Sequence, residues 1–373
     1  MTLRFVHTSD IHLGKAFGPY AEGARLTEAR FRSLGRLVEV AREHDAPHVL
    51  IAGDLFETPN PAPSTWRQAV TAMADAADVT WWLLPGNHDN LREASATWEA
   101  IAARGHANIR CLTEPAPVRM AEVAILLPSP VGTRRPGSDP TGWLDAAAAE
   151  AGLIRVGLAH GPIHGFSETD APPGVIAPDR DRRSSLDYLA LGDWHGRMRV
   201  SDRTWYSGAP ELDRFKHDGR GGCLVVGIAG PGAAPEVIEI DIGQFAWHDV
   251  ALSLLPEDDA AGALDRALPA GARRDMLVRV RSSGRTSLSG HAALTAAAEH
   301  AAPEFCHFAC DTDGLSLERD VDDLDEIAAS GALRQAAGVL FDEAADAALS
   351  SRDRAVSEAA LRRLYGLVSE GGA

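Results

Sequence analysis

Short apolar runs alternate with amphipathic segments along the first part of the chain. "LRFVHTSD", "HVLIAGD" and "VTWWLLPGNHD" each predict a buried strand that ends in polar turn residues. Between the first two runs, apolar residues recur at helical spacing and predict an amphipathic helix over residues 24–46. A second helix is predicted from a cap at Ser64 to about Asp78. This order of elements is typical of an α/β protein.

Further strand-length runs follow with few helices between them: "EVAILLPSP", "LIRVGLAHG", "YLALGD", "TWYSGAP", "GGCLVVGI" and "EVIEIDI". A doubly wound sheet would need more helices, so we expect two sheets that face each other with helices outside. The pattern changes near Gly243, beyond which a small α/β unit and then C-terminal helices are predicted. The predicted domains are therefore 1–242, 243–326 and 327–373.

Composition and charge restrict the class of protein. The 373 residues include 36 basic and 53 acidic side chains, a net charge of −17, which is the wrong sign for a protein that coats nucleic acid unaided. The four cysteines form no CxxC pair, which argues against disulfides and a thiolate zinc site and favours a reducing, cytoplasmic environment. The absence of a long apolar run and an N-terminus that enters a strand at once predict neither a membrane span nor a signal peptide.

Oxygen and imidazole donors stand where the predicted strands end. One such residue alone is more often a helix cap or turn residue, but several together are hard to attribute to capping. The carboxyl ends of strands in an α/β sheet converge on one crevice, so we expect these donors to meet. A set without thiolates favours hard or borderline divalent metals such as manganese, iron or zinc. The residues are Asp10, His12, Asp54, Asn87, His88, Asp89, His160, Asp193 and His195.

The order of these motifs resembles the calcineurin-like metallophosphoesterases, and within that superfamily the SbcD-type DNA repair exonucleases. The resemblance covers residues 1–242 and rests on "HTSDIHLGKAF", "IAGDLFETPNPAPS", "LLPGNHDN", "YLALGDWHG" and "WYSGAPE". It implies a four-layer sandwich, two facing sheets flanked by helices, followed by a small α/β capping domain and C-terminal helices.

The resemblance also implies two metal ions bridged by Asp54. Where the family has a histidine, this chain has Asp193, which would fall on the second ion. Either this carboxylate is a working ligand, which would favour manganese, magnesium or iron over zinc, or the second site is weakened. Manganese is the expected metal. The implied ligands are Asp10, His12 and His195 for the first ion, and Asn87 and His160 for the second.

The implied reaction is hydrolysis of a DNA phosphodiester by in-line attack of hydroxide, with His88 as the general acid. Asp89 either orients His88 or caps a helix. Two alternatives stay open: a phosphodiesterase for nucleotides or other small molecules, and a weakly catalytic regulatory subunit of a coiled-coil ATPase complex.

Basic residues in the loops that flank the motifs are expected to hold DNA phosphates. The expected partners are DNA, a coiled-coil ATPase of the SbcC type and a second copy of the chain. An apolar stripe in the C-terminal helices, Leu361, Leu364, Leu367 and Val368, either docks the partner or packs on the protein's own capping domain. The expected phosphate-binding residues are Lys15, Arg180, Arg182, Arg183, Arg197 and Arg199.

Overall fold

A computed structural model describes residues 2–147, 152–163, 174–318, 327 and 331–371. The chain forms two compact units, Met1–Ala246 and Trp247–Ala373. Its helices are α1 Gly23–Glu43, α2 Pro63–Asp75, α3 Ser95–Ala102, α4 Arg180–Arg183, α5 Ala260–Ala267, α6 Leu288–Ala301, α7 Ala332–Ala345 and α8 Ser351–Gly371, with short 3-10 helices at Gly142–Ala146, Arg273–Asp275 and Ala302–Glu304.

Strands of very different lengths make up the rest of the regular secondary structure among the described residues. They are β1 Leu3–Thr8, β2 His48–Ile51, β3 Thr80–Leu83, β4 Ile109–Cys111, β5 Val118–Ala121, β6 Ala124–Ser129, β7 Ile154–His160, β8 Tyr188–Gly192, β9 Met198–Arg199, β10 Thr204–Tyr206, β11 Gly219–Ile228, β12 Glu236–Leu254, β13 Met276–Thr286 and β14 His307–Leu317.

The first unit contains two mixed sheets. In one, β11 pairs antiparallel with β1, and β1, β2, β3 and β4 continue in parallel. In the other, the order is β5-β6-β7-β8-β10-β9, with β6, β7, β8 and β10 parallel. Parallel strands present all their carboxyl ends at one edge, so each sheet has an edge where several loops lie side by side.

Alternating side chains along the strands produce the layers. Leu50 of β2 and Val156 of β7 belong to the apolar core between the sheets, whereas the adjacent Ile51 packs with Leu37 of α1 on the outer face. Leu189 of β8 packs on the outer face of the other sheet. This arrangement confirms the predicted α/β fold, two facing sheets flanked by helices.

The two predicted helices are present, but the start of the second was predicted wrongly. Helix α2 begins at Pro63 with Ala62 as its N-cap residue, so Ser64 lies inside the helix and does not cap it. The fixed φ of proline suits the first helical position, which explains the earlier start. The helix ends at Asp75 rather than near Asp78.

The second unit contains the parallel pair β13 and β14 and helices α5 to α8. Leu361 of α8 is buried in an apolar cluster with Leu288 of α6, and Leu364 and Val368 pack against that cluster. Leu367 is exposed. Most of the predicted apolar stripe is therefore used within this unit.

The predicted boundary at residue 326 lies outside the described residues, and the roles given to the domains stay predictions. Among the described helices, none combines the length and apolar character needed to span a membrane.

Candidate metal centre

The candidate ligands follow parallel strands and lie at the edge of each sheet where the carboxyl ends of those strands are found. The loops after β1, β2 and β3 supply one part of the set, and the end of β7 with the loop after β8 supplies the other. Hydrophobic strand residues thus fix the position of the polar residues that follow them. Along the chain these are Asp10, His12, Asp54, Asn87, His88, His160, Asp193 and His195.

The backbone at four of these residues has positive φ. The values are 54° at Asp10, 50° at His12, 55° at Asp54 and 103° at Asp193, and the other described non-glycine residues with positive φ are Asp45 and Ser185. Such conformations are strained for L-residues and occur often at functional sites. Backbone hydrogen bonds hold two of these turns: the Asp10 N–H donates to the Gly53 carbonyl at 3.1 Å, and the His12 N–H donates to the Asp54 carbonyl at 3.0 Å.

Glycines before the ligands permit close approach between the loops. A Cβ atom at Gly53 would lie 2.2 Å from Nδ1 of His160, and one at Gly86 would lie 2.2 Å from Oδ1 of Asp54. Both distances are far below van der Waals contact. The glycines in "AGD" and "PGN" are therefore required by side chains of the candidate site itself.

The first group of donors contains Asp10, His12 and His195, all buried. The Nε2 atoms of His12 and His195 each lie 3.9 Å from Oδ1 of Asp10. Oδ2 of Asp54 lies 3.8 Å from Nε2 of His12. These separations leave room for one cation bonded to each atom at about 2.0–2.2 Å.

The second group is centred on Nε2 of His160. Oδ2 of Asp54 lies 3.5 Å from this nitrogen, Oδ1 of Asn87 lies 3.2 Å from it and Oδ1 of Asp193 lies 3.9 Å from it. Asp54 therefore stands between the two groups and has atoms near the donors of both. The structure brings together all seven predicted metal ligands.

The hydrogen bonding of the histidines fits metal binding. Nδ1 of His160 lies 2.8 Å from the Ala52 carbonyl, which can only accept, so Nδ1 donates its proton there and Nε2 is the ring nitrogen that faces the other donors. Nε2 of His12 is buried, faces the carboxylates of Asp10 and Asp54, and has no hydrogen-bond partner among the described residues. Burying an imidazole nitrogen without a hydrogen-bond partner costs free energy, and a nitrogen in this position suits a metal ligand.

Comparison with known proteins decides the family, because residues 3–219 match Calcineurin-like phosphoesterase. The chain belongs to this family. The family consists of phosphoesterases that use divalent metals, and the donor groups of this chain are candidate sites for such ions.

Relatives place this phosphoesterase in the SbcD-type branch. It is 28% identical over 287 residues to the D subunit of the nuclease SbcCD from Bacillus subtilis (strain 168), covering 67% of this chain and 70% of that protein. "Uncharacterized metallophosphoesterase YhaO" of the same organism is 24% identical over 242 residues, covering 61% of this chain and 57% of that protein. "DNA double-strand break repair protein Mre11" of Archaeoglobus fulgidus is 30% identical over 109 residues, covering 29% of this chain and 24% of that protein. The phosphoesterase thus spans little more than half of YhaO and a quarter of Mre11.

Carboxylates lie behind two of the histidines. Oε2 of Glu57 is 3.0 Å from Nδ1 of His12, and Oδ1 of Asp213 is 3.2 Å from Nδ1 of His195. Such outer carboxylates orient a ligating imidazole and increase its basicity. From sequence alone, the position of Glu57, three residues after Asp54, predicts either this role or a role in holding the loop. Asp213 was missed, because it lies among charged residues with no motif to distinguish it.

The charged groups of the centre shift one another's pKa. Burial alone would lower the pKa of His160, but the carboxylates of Asp54, Asp10 and Asp193 outweigh it and raise this pKa to about 9. Burial raises the pKa of Asp54 well above its usual range, although His160 opposes the shift. Burial lowers the pKa of His12 to about 4. A dication that binds here therefore replaces a proton on His160 and stabilises the ionised form of Asp54.

His88 and Asp89 occupy different environments. The His88 N–H donates to Oδ1 of Asp54 at 2.8 Å, and its Nδ1 donates to the Glu57 carbonyl at 2.8 Å. His88 also forms a possible cation-binding group with His12 and Asp54. Both oxygens of the Asp89 carboxylate accept backbone hydrogen bonds, from Gly86 at 2.7 Å and Phe56 at 3.1 Å. Asp89 therefore holds the loop that carries His88. Its predicted role, to orient His88 or to cap a helix, stays a prediction.

Among the predicted phosphate-binding residues, Arg180 lies in a buried pair of ion pairs and Arg183 in an exposed one. The Arg180 side chain is 3% exposed and contacts Asp139 and Asp145, each at 2.6 Å. Arg183 pairs with the same Asp145 at 2.7 Å. A buried guanidinium with two carboxylate partners is not available to a phosphate, so the prediction for Arg180 is wrong.

The other predicted cations differ from one another. Arg197 pairs with Glu239 at 3.3 Å and with Asp241 at 2.5 Å. Arg199 pairs with Asp202, and Arg182 is exposed on α4. Lys15 lies beside Glu57 and Asp213 at the edge of the candidate metal centre.

Proposed function

We propose that this phosphoesterase is a manganese-dependent DNA nuclease of DNA repair, acting as an exonuclease or endonuclease. The observation that carries the proposal is that two groups of donors share Asp54, an arrangement suited to two cations on one phosphodiester. DNA as the substrate is supported by the names of two relatives, one a subunit of the nuclease SbcCD and the other "DNA double-strand break repair protein Mre11".

The two ions, when bound, would supply an activated water for in-line attack and would offset charge on the phosphate oxygens. The protein's part is to hold donors in place before a substrate arrives. One ion would be held by Asp10, His12, His195 and Asp54, and the other by Asp54, Asn87, His160 and Asp193.

Asp193 is proposed as a working ligand. Its Oδ1 lies 3.9 Å from Nε2 of His160, and its backbone N–H donates to the Asp10 carboxylate at 3.1 Å, so this residue contacts both donor groups. With Asp10 and Asp54 it offsets three of the four charges of two dications, which leaves positive charge to attract a phosphodiester. Carboxylate oxygens favour manganese, magnesium or iron over zinc.

His88 is proposed as the general acid. Its ring lies beside that of His12, with centroids 4.8 Å apart, and its Nδ1 is held by the Glu57 carbonyl. The proton that moves is therefore the one at Nε2, which would pass to the departing sugar 3′ oxygen. Holding Nδ1 fixes the direction in which Nε2 points.

DNA affinity is proposed to depend partly on a partner. The net charge of −17 and the buried pairing of Arg180 reduce the number of cations available to phosphates. A coiled-coil ATPase of the SbcC type and a second copy of the chain are the proposed partners, in the cytoplasm. One relative is named as a subunit of a nuclease, which supports an assembly.

The same pairing favours a second candidate function, a phosphodiesterase for nucleotides, since a small substrate needs fewer cations than a polymer. A weakly catalytic regulatory subunit has less support, because the predicted ligands of both ions lie close to one another.

The test is to reconstitute the protein with manganese and assay single-stranded DNA, double-stranded DNA and a panel of nucleotides. Asp54→Asn is expected to lose metal and activity together. His88→Asn is expected to keep both ions while activity falls by about 10²–10⁴-fold. The exposed His106→Asn serves as the matched control and keeps both. Metal loss in His88→Asn would make His88 a ligand, and turnover of nucleotides without any effect on DNA would favour the second candidate function.

A further inference from the structure

Lys15 joins the two carboxylates that lie behind the histidines of the first donor group. Its Nζ is 3.1 Å from Oδ2 of Asp213 and 3.4 Å from Oε2 of Glu57. Glu57 contacts His12 through the same oxygen, and Asp213 contacts His195 through its other oxygen. The chain of contacts is His12–Glu57–Lys15–Asp213–His195.

This chain closes into a ring at Asp10. The Nε2 atoms of both histidines face Oδ1 of Asp10, each at 3.9 Å. The two imidazoles are thus connected through both ring nitrogens. Their Nε2 atoms share Asp10, and their Nδ1 atoms contact the two carboxylates that Lys15 joins. The three supporting residues come from separate loops, after β1, β2 and β10.

Burial makes Asp213 the centre of this arrangement. Its side chain is 2% exposed, whereas those of Lys15 and Glu57 are 24% and 25% exposed. The buried Arg30 of α1 approaches Oδ2 of Asp213 at 3.9 Å, and Arg214 approaches Oδ1 at 3.1 Å. A buried negative charge needs nearby cations to offset its loss of hydration. The same contacts hold the Asp213 carboxylate in a fixed orientation toward His195.

We infer that Asp213 and Lys15 are positioning residues that fix His12 and His195 for one cation, and that Lys15 serves this purpose in place of the DNA phosphate contact predicted from sequence. The inference rests on the proposed dinuclear site but not on DNA as the substrate. Outer partners of this kind commonly contribute 10–100-fold to metal affinity.

The first experiment measures manganese binding by calorimetry and electron paramagnetic resonance, with no substrate present. Asp213→Asn is expected to weaken one of the two ions by about 10–100-fold and to leave the other unchanged. Asp187→Asn is the matched control, since Asp187 is also buried but pairs with Arg203 away from the centre. If Asp213→Asn does not fold, Glu57→Gln should weaken the same ion, because Glu57 lies behind His12. Wild-type affinity for both ions in the folded variant overturns the inference.

The second experiment isolates Lys15. Removing the positive charge of Lys15 should raise manganese affinity, whereas loss of the alignment of His12 and His195 should lower it. The change in affinity of the single variant therefore does not decide the role of Lys15. The energetic coupling between Lys15 and Asp213 does. Lys15→Met, Asp213→Asn and the double variant form a cycle, and we expect the effect of Lys15→Met on manganese affinity to shrink several-fold when Asp213 is already changed. Additive effects would mean that Lys15 acts only as a nearby charge and would overturn its positioning role. These measurements need no DNA, so failure of the positioning role can be distinguished from failure of the proposed nuclease activity.

Discussion

Gly53→Ala should damage the candidate metal centre through a clash that the structure locates. The new Cβ atom would lie 2.2 Å from Nδ1 and 2.5 Å from Cγ of His160. The ring must move away, which breaks the 2.8 Å contact with the Ala52 carbonyl and shifts Nε2 from its place 3.5 Å from Asp54. The second donor group therefore loses its imidazole.

Two energetic terms add in this variant. The φ of Gly53 is +91°, a conformation that costs a non-glycine residue about 1–2 kcal/mol. The overlap with His160 adds an overpacking cost of about 1–3 kcal/mol. Gly232 has a φ of +80° with nothing within 4 Å of an added Cβ, so Gly232→Ala carries the backbone term alone.

Urea unfolding and manganese titration of the two variants separate these terms. We expect Gly53→Ala to lose about 1–3 kcal/mol more stability than Gly232→Ala, and to bind one of the two ions at least about 10-fold more weakly. Gly232→Ala should bind both ions as the wild type does. Equal stability loss in the two variants, with wild-type metal affinity in Gly53→Ala, would show that the loop relaxes freely and would refute the proposed geometry.

Two further predictions concern residues outside the donor groups. Burial lowers the pKa of His7 to about 3 from an ordinary 6.5, so its stabilising effect is complete above pH 6.5 and is lost as the pH falls toward 3. His7→Gln should therefore remove about 1.4 kcal/mol per pH unit from the slope of unfolding free energy over that window, and an unchanged slope would contradict the burial argument. Arg180→Met should cost about 1–3 kcal/mol of stability, because the partly exposed carboxylates of Asp139 and Asp145 lose a hydrogen-bonded partner, while KM stays unchanged. A higher KM together with wild-type stability would instead support the prediction that Arg180 contacts a phosphate.

The fold and the donor groups could be predicted because their signals are local. A buried strand requires a continuous run of apolar residues, and the polar residues that end it stand next to that run in sequence. Asp10 and Asp54 are therefore visible without any knowledge of the opposite sheet. Convergence then follows from parallel pairing, which places strand ends at one edge.

Ion-pair partners could not be predicted in the same way. Arg180 stands in the run "RDRR", which is typical of a solvated surface, yet its partners Asp139 and Asp145 come from a distant segment. Asp213 is similarly hidden, because its burial depends on Arg30 in α1 and on His195. Sequence gives the charge of a side chain, whereas tertiary contacts decide whether that charge is neutralised inside the protein.

Backbone strain adds evidence that does not depend on any relative. Asp10, His12, Asp54 and Asp193 have positive φ within one small region, and each such residue costs on the order of 1–2 kcal/mol. Their bonds across loops offset this cost: the N–H of Asp10 to Gly53, that of His12 to Asp54 and that of Asp193 to the Asp10 carboxylate. The loops are thus held in the geometry that the donors need before a cation arrives. Asp193 shares both the positive φ and the cross-loop hydrogen bonding of Asp10 and Asp54, so the loop that carries it is built in the same way as theirs. This similarity supports the proposal that Asp193 is a working metal ligand and not the remnant of a weakened second site.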